Sequence, residues 1–188
     1  MSRTCSIGSS MYRFKKAETE SEFEQVFRLN HEVFVDELRQ YQPDPSARLI
    51  DKFHDKNLYL IALTADEVVG MIAAHDRLPF SIESRLADVS VLERYGRLLE
   101  VRLLAVKPAH RNGIVMTGLF LELYEHARAY DTLAISGYVE ERAMYHRLGF
   151  RDLGPPVRCG QAEFVPMVVR VADLAKRQAR WRRQRPAS

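Results

Sequence analysis

The stretch that most constrains the fold is LLEVRLLAV, residues 98–106, together with the segment directly after it. The run is nine residues long and mostly aliphatic, which predicts a buried strand. Pro108, Arg111, Asn112 and Gly113 follow, and residues 113–129 then carry apolar side chains at helical spacing, among them Met116 and Leu119. A strand that passes through a short turn directly into a helix indicates an α/β or α+β fold.

The elements before this strand are predicted by caps, prolines and alternation. Thr19 and Glu22 have the spacing of a capping box, which predicts a helix that continues, after a kink, through FRLNHEVFVDEL. Pro43 and Pro45 then predict a loop, because they prevent regular secondary structure there. Two apolar runs joined by a tight turn at residues 65–67 predict a hairpin. The pattern of residues 79–97 does not distinguish helical from irregular structure.

The elements after it continue the alternation. TLAISG predicts a short buried strand, and ERAMYHRL predicts a helix that ends at Gly149. RDLGPP and AEFVPMVVRV predict two further strands, and Pro166 inside the last one suggests a sheet edge or a bulge. The order predicts a mixed sheet with helices on both faces.

Length and composition predict one domain of a soluble cytoplasmic protein. The chain has 188 residues, and no apolar run approaches the roughly eighteen residues that a membrane span needs. Cys5 and Cys159 offer no disulfide framework, which suits a reducing compartment. Residues 1–10 are predicted to be a disordered leader and residues 11–171 the domain.

Residues 172–188 form a basic C-terminal tail. They carry six basic side chains and one acidic side chain, in a chain whose net charge is only +3. Two interpretations remain open: a solvated terminal helix, or a docking segment for an acidic partner.

The turn after the strand predicts a phosphate-binding cradle. A helix N-terminus presents unpaired backbone N–H groups and the positive end of its dipole. Arg111 adds a charged, bidentate fork, and Gly113 lets an anion approach the backbone. The residues of this cradle are Arg111, Asn112, Gly113, Ile114 and Val115.

Val-x-Pro-x-x-Arg followed by glycine and a helix resembles the acyl-coenzyme A motif of the Gcn5-related N-acetyltransferase (GNAT) superfamily. Tyr145 before Gly149-Phe150 resembles its later signature. FRLNHEVFVDEL resembles the opening helices of the branch that contains autoinducer synthases and N-acyl amino acid synthases. This resemblance covers roughly residues 12–171. It implies a GNAT-type, mostly antiparallel mixed sheet with helices on both faces, and an N-acyltransferase.

The resemblance also implies the catalytic roles. Glu100 occupies the position at which many members carry the general base, and Tyr145 is the implied acid for the leaving thiolate. The resemblance further implies that Leu104, Ala105 and Val106 bind the acyl donor, with a backbone N–H there stabilising the oxyanion. The alternatives are structural: an ion pair of Glu100 with Arg102, or Tyr145 as a core aromatic residue beneath Phe150.

The loop departs from the superfamily pattern, because Ile114 and Met116, or Val115 alone, stand where small residues are usual. The donor therefore stays open between acetyl-CoA or a longer acyl-CoA and an acyl carrier protein. The acceptor is expected to be a small-molecule amine. No histidine has metal-ligand spacing, so no metal is expected.

Two classes of function remain in view. The first is the acyltransferase, which includes an acyl-carrier-protein-dependent synthase of N-acyl amino acids or autoinducers. The second is a non-catalytic GNAT-like module that binds an acidic partner through its tail, with nucleic acid the less favoured partner. The sequence leaves the oligomeric state open, a dimer included.

Overall fold

The computed structural model describes residues 12–160 and 162–176. The predicted leader, residues 1–10, and the tail from residue 177 onward lie outside the described residues. The chain divides into two compact units. The first contains the residues up to 74 together with 103–125, and the second contains 75–102 and the residues from 126 on. Within the described residues, no helix is long and apolar enough to cross a membrane.

The strands form a mixed, mostly antiparallel sheet, which confirms the predicted α/β (α+β) class. In the first unit, β1, β2 and β3 are neighbours in that order, and β4 follows β3. In the second unit, the start of β4 runs parallel to β5, β8 lies antiparallel beside β5, and β6 and β7 both pair with β8. The strands are β1 (Arg13–Lys16), β2 (Leu58–Thr64), β3 (Glu67–His75), β4 (Leu98–Val106), β5 (Thr132–Tyr138), β6 (Arg151–Asp152), β7 (Val157–Cys159) and β8 (Ala162–Arg170).

The first helix begins at its predicted cap. α1 spans Glu20–His31, the Thr19 hydroxyl accepts from the Glu22 N–H, and the Glu22 carboxylate accepts from the Thr19 N–H. The predicted kink is a π-helical segment, Glu32–Glu37, that continues α1. π-Helical turns are rare in proteins, and those that occur are often found at functional sites. The side chains of this segment are therefore candidates for the site.

In the first unit, α1 and the second helix lie on opposite faces of the sheet. The second helix, α2, spans Ile114–Ala127. Met71 belongs to the same buried cluster as the apolar side chains of α1. A Cβ on the adjacent Gly70 would instead meet Val115 and Leu119 of α2 at 2.7 and 3.3 Å. Successive residues of a strand face opposite sides, so β3 separates the two helices.

In the described part of the second unit, a short helix and two 3₁₀ segments connect the strands. α3 spans Arg142–Leu148 and ends at Gly149, whose φ of 101° is left-handed, as the glycine predicted. Residues 79–97 contain 3₁₀ segments at Ser81–Arg85 and Val89–Tyr95. The helical segments elsewhere in the chain are His54–Lys56, Pro108–His110 and residues 171–176.

The expectation that Pro166 marks a sheet edge is wrong. β8 has strand neighbours on both sides, and Pro166 pairs in register with Ser136 of β5. Its carbonyl accepts from the Leu153 N–H on the other side. On that side, β6 pairs with one part of β8 and β7 with another, and no strand pairs with β8 between them. The N–H that proline lacks would point into this gap, so its absence breaks no hydrogen bond between strands.

Candidate active site

The predicted cradle at the start of α2 has the geometry of a capped helix N-terminus. Gly113 has a φ of 82°, a left-handed value that favours glycine, and α2 begins at the next residue. The Asn112 side-chain oxygen accepts from the Ile114 N–H at 3.1 Å. A Cβ at Gly113 would meet nothing within 4 Å, so the backbone turn, not a crowded neighbour, requires this glycine.

Arg111, the predicted phosphate ligand, is bound by a carboxylate in this structure. Its Nη1 and Nη2 donate to the two carboxylate oxygens of Glu37 at 2.6 and 2.5 Å, and its Nε donates to the carbonyl of Val106 at 2.9 Å. The Glu37 pKa is lowered, mainly by the hydrogen bond from Arg111. Sequence reasoning missed Glu37, because 74 residues separate it from Arg111.

A cavity of about 350 Å³ opens beside this ion pair in the first unit. Among the predicted donor-binding residues, Leu104, Val106, Arg111 and Gly113 line it. Its other lining residues are Val33, Glu37, Leu38, His110 and Met116. Most of the wall is therefore apolar, which suits a pantetheine arm or an acyl chain better than a nucleotide.

The remaining predicted donor ligands do not line this cavity. The side chains of Ala105 and Val115 are buried in the core, at 1% and 0% exposure, so they are available to a donor only through their backbones. Ile114 is 57% exposed, and Asn112 caps the helix. Met116 was predicted on the buried face of the helix, but Val115 takes that place and Met116 is 39% exposed.

β4 is distorted directly before the predicted oxyanion site. Leu103 has a φ of 33°, which is unusual for a side chain other than glycine. Backbone outliers of this kind cluster at active sites and ligand clamps. The distortion interrupts the regular strand immediately before Leu104, where the resemblance expects the donor to meet the backbone.

Glu100 is the most fully buried carboxylate among the described residues, with 1% exposure. One oxygen accepts from the Ser81 hydroxyl and from the Ile82 N–H, each at 2.7 Å, and the other accepts from the Ser81 N–H at 2.7 Å. Nε2 of His75 lies 3.0 Å from that second oxygen. The carboxylate is therefore held between β3, the 3₁₀ segment Ser81–Arg85 and its own strand.

The pKa of Glu100 depends on two opposing effects, burial and the contacts with neighbouring polar groups. Burial raises the pKa of the carboxyl, but the contacts from His75 and Ser81 and the nearby charge of Arg102 outweigh burial and lower it below its ordinary value. Arg102 thus acts on Glu100 through its charge, while His75 and Ser81 are the close partners. Local sequence patterns did not indicate either partner, because Ser81 and His75 lie 19 and 25 residues before Glu100 in the chain.

Tyr145 combines a packed ring with an available hydroxyl. Its ring contacts Phe150 edge-on at 6.0 Å and lies where a Cβ on Gly137 would approach it to 2.8 Å. No described residue hydrogen-bonds to its hydroxyl. Burial, with the nearby charge of Glu141, raises the Tyr145 pKa, so the phenol stays protonated at neutral pH. Both the packing and the acid interpretation fit this placement.

The short helix that carries Tyr145 is held in place by ion pairs. Asp152 of β6 accepts from Nε of Arg142 at 2.9 Å, and its other oxygen lies 2.9 Å from Nε2 of His146. Arg142 and His146 flank Tyr145 on α3. Helix α3, only seven residues long, is therefore attached to β6 on both sides of the tyrosine.

A larger cavity, about 590 Å³, lies in the second unit. Its charged lining residues are Asp76, Glu83, Glu93 and Arg97, and Tyr130 donates to Asp76 at 2.9 Å. An excess of carboxylates repels phosphate, so this cavity is unsuited to a phosphate-bearing donor. Among residues 12–160 and 162–176, no group of three or more His, Cys, Asp or Glu could hold a metal ion.

Comparison with known proteins identifies the family. The chain matches the model of the N-acyl amino acid synthase FeeM over residues 25–173. No curated protein matches the chain. The structure of FeeM from uncultured soil microbes has a TM-score of 0.70 at 16% identity, covering 88% of this chain and 93% of that one. BjaI, a CoA-dependent acyl-homoserine lactone synthase, has a TM-score of 0.68 at 23% identity, covering 86% and 82%.

A third solved structure extends the likeness to the wider superfamily. The putative N-acetyltransferase from Lactobacillus plantarum has a TM-score of 0.64 at 17% identity, covering 86% of this chain and 99% of that one. These structures share the fold, and the family model covers most of the chain. The chain is thus an acyltransferase and belongs to the FeeM N-acyl amino acid synthase family.

Proposed function

We propose that this protein transfers an acyl group from a thioester donor to the amino group of a small molecule, with acyl-CoA as the donor. The observation that carries the proposal is the cavity at the start of α2, where apolar walls meet Arg111 and the helix N-terminus. A pantetheine arm suits the apolar walls, and its phosphate end suits the N–H groups of the helix. The family's name favours an amino acid as the amine.

The chemistry is direct attack. The neutral amine attacks the thioester carbonyl carbon, a C–N bond forms, and the C–S bond breaks. Backbone N–H groups at Leu104–Val106 would stabilise the oxyanion between these steps. The amine loses one proton to a base, and the thiolate gains one from the hydroxyl of Tyr145. The raised pKa of Tyr145 keeps the phenol protonated at neutral pH, so a proton is available when the thiolate leaves.

Glu100 is the proposed base, and its burial requires a route for the proton. Ser81 is half-buried, and its hydroxyl already donates to Glu100 at 2.7 Å. In this proposal the amine proton passes to the Ser81 oxygen while the Ser81 hydroxyl proton passes to Glu100. His75, 3.0 Å from the other carboxylate oxygen, holds Glu100 in this orientation.

An acyl carrier protein is the second candidate donor, and one observation favours it. Glu37 neutralises Arg111, so the cradle offers less positive charge than a pyrophosphate would require. The phosphopantetheine arm of a carrier protein brings a single phosphate. The proposed localisation is cytoplasmic, where both donors occur.

A donor–acceptor screen tests the proposal. The purified chain is incubated with acetyl-, medium-chain and long-chain acyl-CoA, or with the matching acyl carrier proteins, and with a mixture of amino acids. Mass spectrometry then detects N-acyl products and free thiol. N-Acyl amino acids formed from acyl-CoA support the proposal, and products formed only from acyl carrier proteins support the second candidate donor instead. Thioester consumption without an N-acyl product, or no consumption at all, contradicts it.

A further inference from the structure

The ion pair between Glu37 and Arg111 occupies the atoms that a donor phosphate would use. Both nitrogen ends of the guanidinium fork bind the two carboxylate oxygens, which is the bidentate geometry that Arg offers to carboxylate and phosphate alike. Nε is bound to the Val106 carbonyl, so the fork points in a fixed direction. Glu37 therefore stands in the position of an anionic ligand.

Two neighbouring basic side chains in the same unit also have partners. Nζ of Lys107 lies 2.5 Å from a carboxylate oxygen of Glu67, and Nδ1 of His110 lies 2.9 Å from the Tyr12 hydroxyl. A phosphate entering the cavity thus meets an arginine, Arg111, that is already paired with a carboxylate, and that carboxylate, Glu37, is itself part of the wall. Like charges repel more strongly in a partly desolvated site than in water.

The pair is also exchangeable. The side chains of Arg111 and Glu37 are 41% and 40% exposed, so either one returns to water without leaving an uncompensated buried charge. Glu37 is the last residue of the π-helical segment. A phosphate therefore binds Arg111 by displacing Glu37, and the net gain is smaller than for an unoccupied arginine.

We infer that Glu37 is a specificity-determining residue of the donor site: it competes with donor phosphates for Arg111 and disfavours donors in proportion to their phosphate charge. This inference rests on the proposed function, because it assigns the cavity to the donor. It goes further by naming the residue that sets the preference among acyl-CoA, acyl-phosphopantetheine and donors without phosphate.

Calorimetry on the full chain with three ligands tests this role. CoA, 4′-phosphopantetheine and pantetheine share the arm and differ in phosphate content. For Glu37→Gln we expect the affinity for CoA to rise by about tenfold, that for phosphopantetheine by about threefold, and that for pantetheine by less than about twofold. Adding Arg111→Gln to Glu37→Gln should abolish the graded gain, because the gain depends on the freed fork.

Glu20→Gln is the matched control, since it removes one negative charge from an exposed position of the same unit. A graded gain in Glu37→Gln that is absent from Glu20→Gln supports the inference. An equal gain for all three ligands, or weaker CoA binding, overturns it, because Glu37 would then act through shape or would position Arg111. If CoA binds the wild type and Glu37→Gln changes nothing, the inference fails while the proposed function stands. No binding of any ligand to either protein overturns both.

Discussion

The two charged groups that flank the distortion of β4 are satisfied in opposite ways. Glu100, before Leu103, is 1% exposed and accepts three hydrogen bonds at 2.7 Å, with His75 at 3.0 Å. Arg111, after it, is 41% exposed on its side chain and has one charged partner, Glu37. The first group is fixed by several hydrogen-bond donors, whereas the two terminal nitrogens of the second are held by one exchangeable ion pair.

The difference distinguishes the proposed base, Glu100, from the proposed donor ligand, Arg111. A buried carboxylate that loses its partners is left uncompensated at high cost, so Glu100 has to keep its geometry through the reaction. An exposed pair is worth little, so the partner of Arg111 is replaceable by a ligand. The comparison therefore predicts that Glu100 variants affect folding and turnover together, whereas Arg111 and Glu37 variants affect only donor binding.

The largest effect is expected for Glu100→Gln. The carboxylate accepts hydrogen bonds from the donors around it, whereas the amide nitrogen of glutamine is itself a donor and would face them without a bond. The free energy of unfolding should therefore fall by about 2–4 kcal/mol. If Glu100 is the base, turnover of the folded enzyme should fall by roughly 10²–10⁴. Urea unfolding and steady-state kinetics below the melting temperature measure the two effects.

Ser81→Ala provides the companion measurement for Glu100→Gln. It keeps both backbone N–H bonds to Glu100 and removes only the hydroxyl, so turnover should fall more than stability. If Glu100→Gln is destabilised but fully active when folded, Glu100 is a structural residue that holds the 3₁₀ segment Ser81–Arg85.

Tyr145→Phe separates packing from chemistry in the second unit. The hydroxyl has no hydrogen-bond partner among the described residues, so its loss should change the free energy of unfolding by less than about 0.5 kcal/mol. Turnover should fall by about 10²–10⁴ if the phenol protonates the thiolate. Thermal unfolding and stopped-time product assays provide both values. Turnover within a few-fold of the wild type would assign Tyr145 to the core alone.

Arg111→Ala is expected to have a smaller effect than an unpaired arginine would have. An unpaired charged donor to phosphate is worth about 1.5–3 kcal/mol, but Glu37 already holds Arg111, so the expected loss of CoA affinity is about 0.5–1.5 kcal/mol. Calorimetry with CoA measures it. A loss above this range would mean that Glu37 does not compete in solution, and the contrast with Glu100 would weaken.

The smallest effect concerns acid stability. The pKa of Glu100 in the folded protein lies below its ordinary value of 4.5. The stability that Glu100 contributes is therefore fully present above pH 4.5 and is lost as the pH falls through the lowered pKa. Urea unfolding between neutral pH and pH 3 should show a shallower pH dependence in Glu100→Gln than in the wild type. If both proteins show the same pH dependence, the Glu100 pKa does not differ between the folded and the unfolded chain.

Local patterns were enough to predict much of the fold. The Thr19–Glu22 capping box, the strand over residues 98–106 and the end of α3 at Gly149 all follow from interactions within a few residues, and the structure confirms them. The family that the sequence resembles is confirmed as well. Short-range hydrogen bonds and side-chain periodicity are encoded in neighbouring residues, so the sequence alone determines them.

The partners of the charged groups were decided only by the tertiary structure. Glu37 reaches Arg111 across 74 residues, and His75 and Ser81 reach Glu100 from a neighbouring strand and from a 3₁₀ segment that the sequence left ambiguous. Pro166 was predicted to mark a sheet edge or a bulge because its ring removes a donor, but β8 is not an edge strand, and the gap between β6 and β7 accommodates the proline inside the sheet. A residue's chemistry is local, whereas the group that satisfies its charge or its missing hydrogen bond is determined by which distant segments the fold brings beside it.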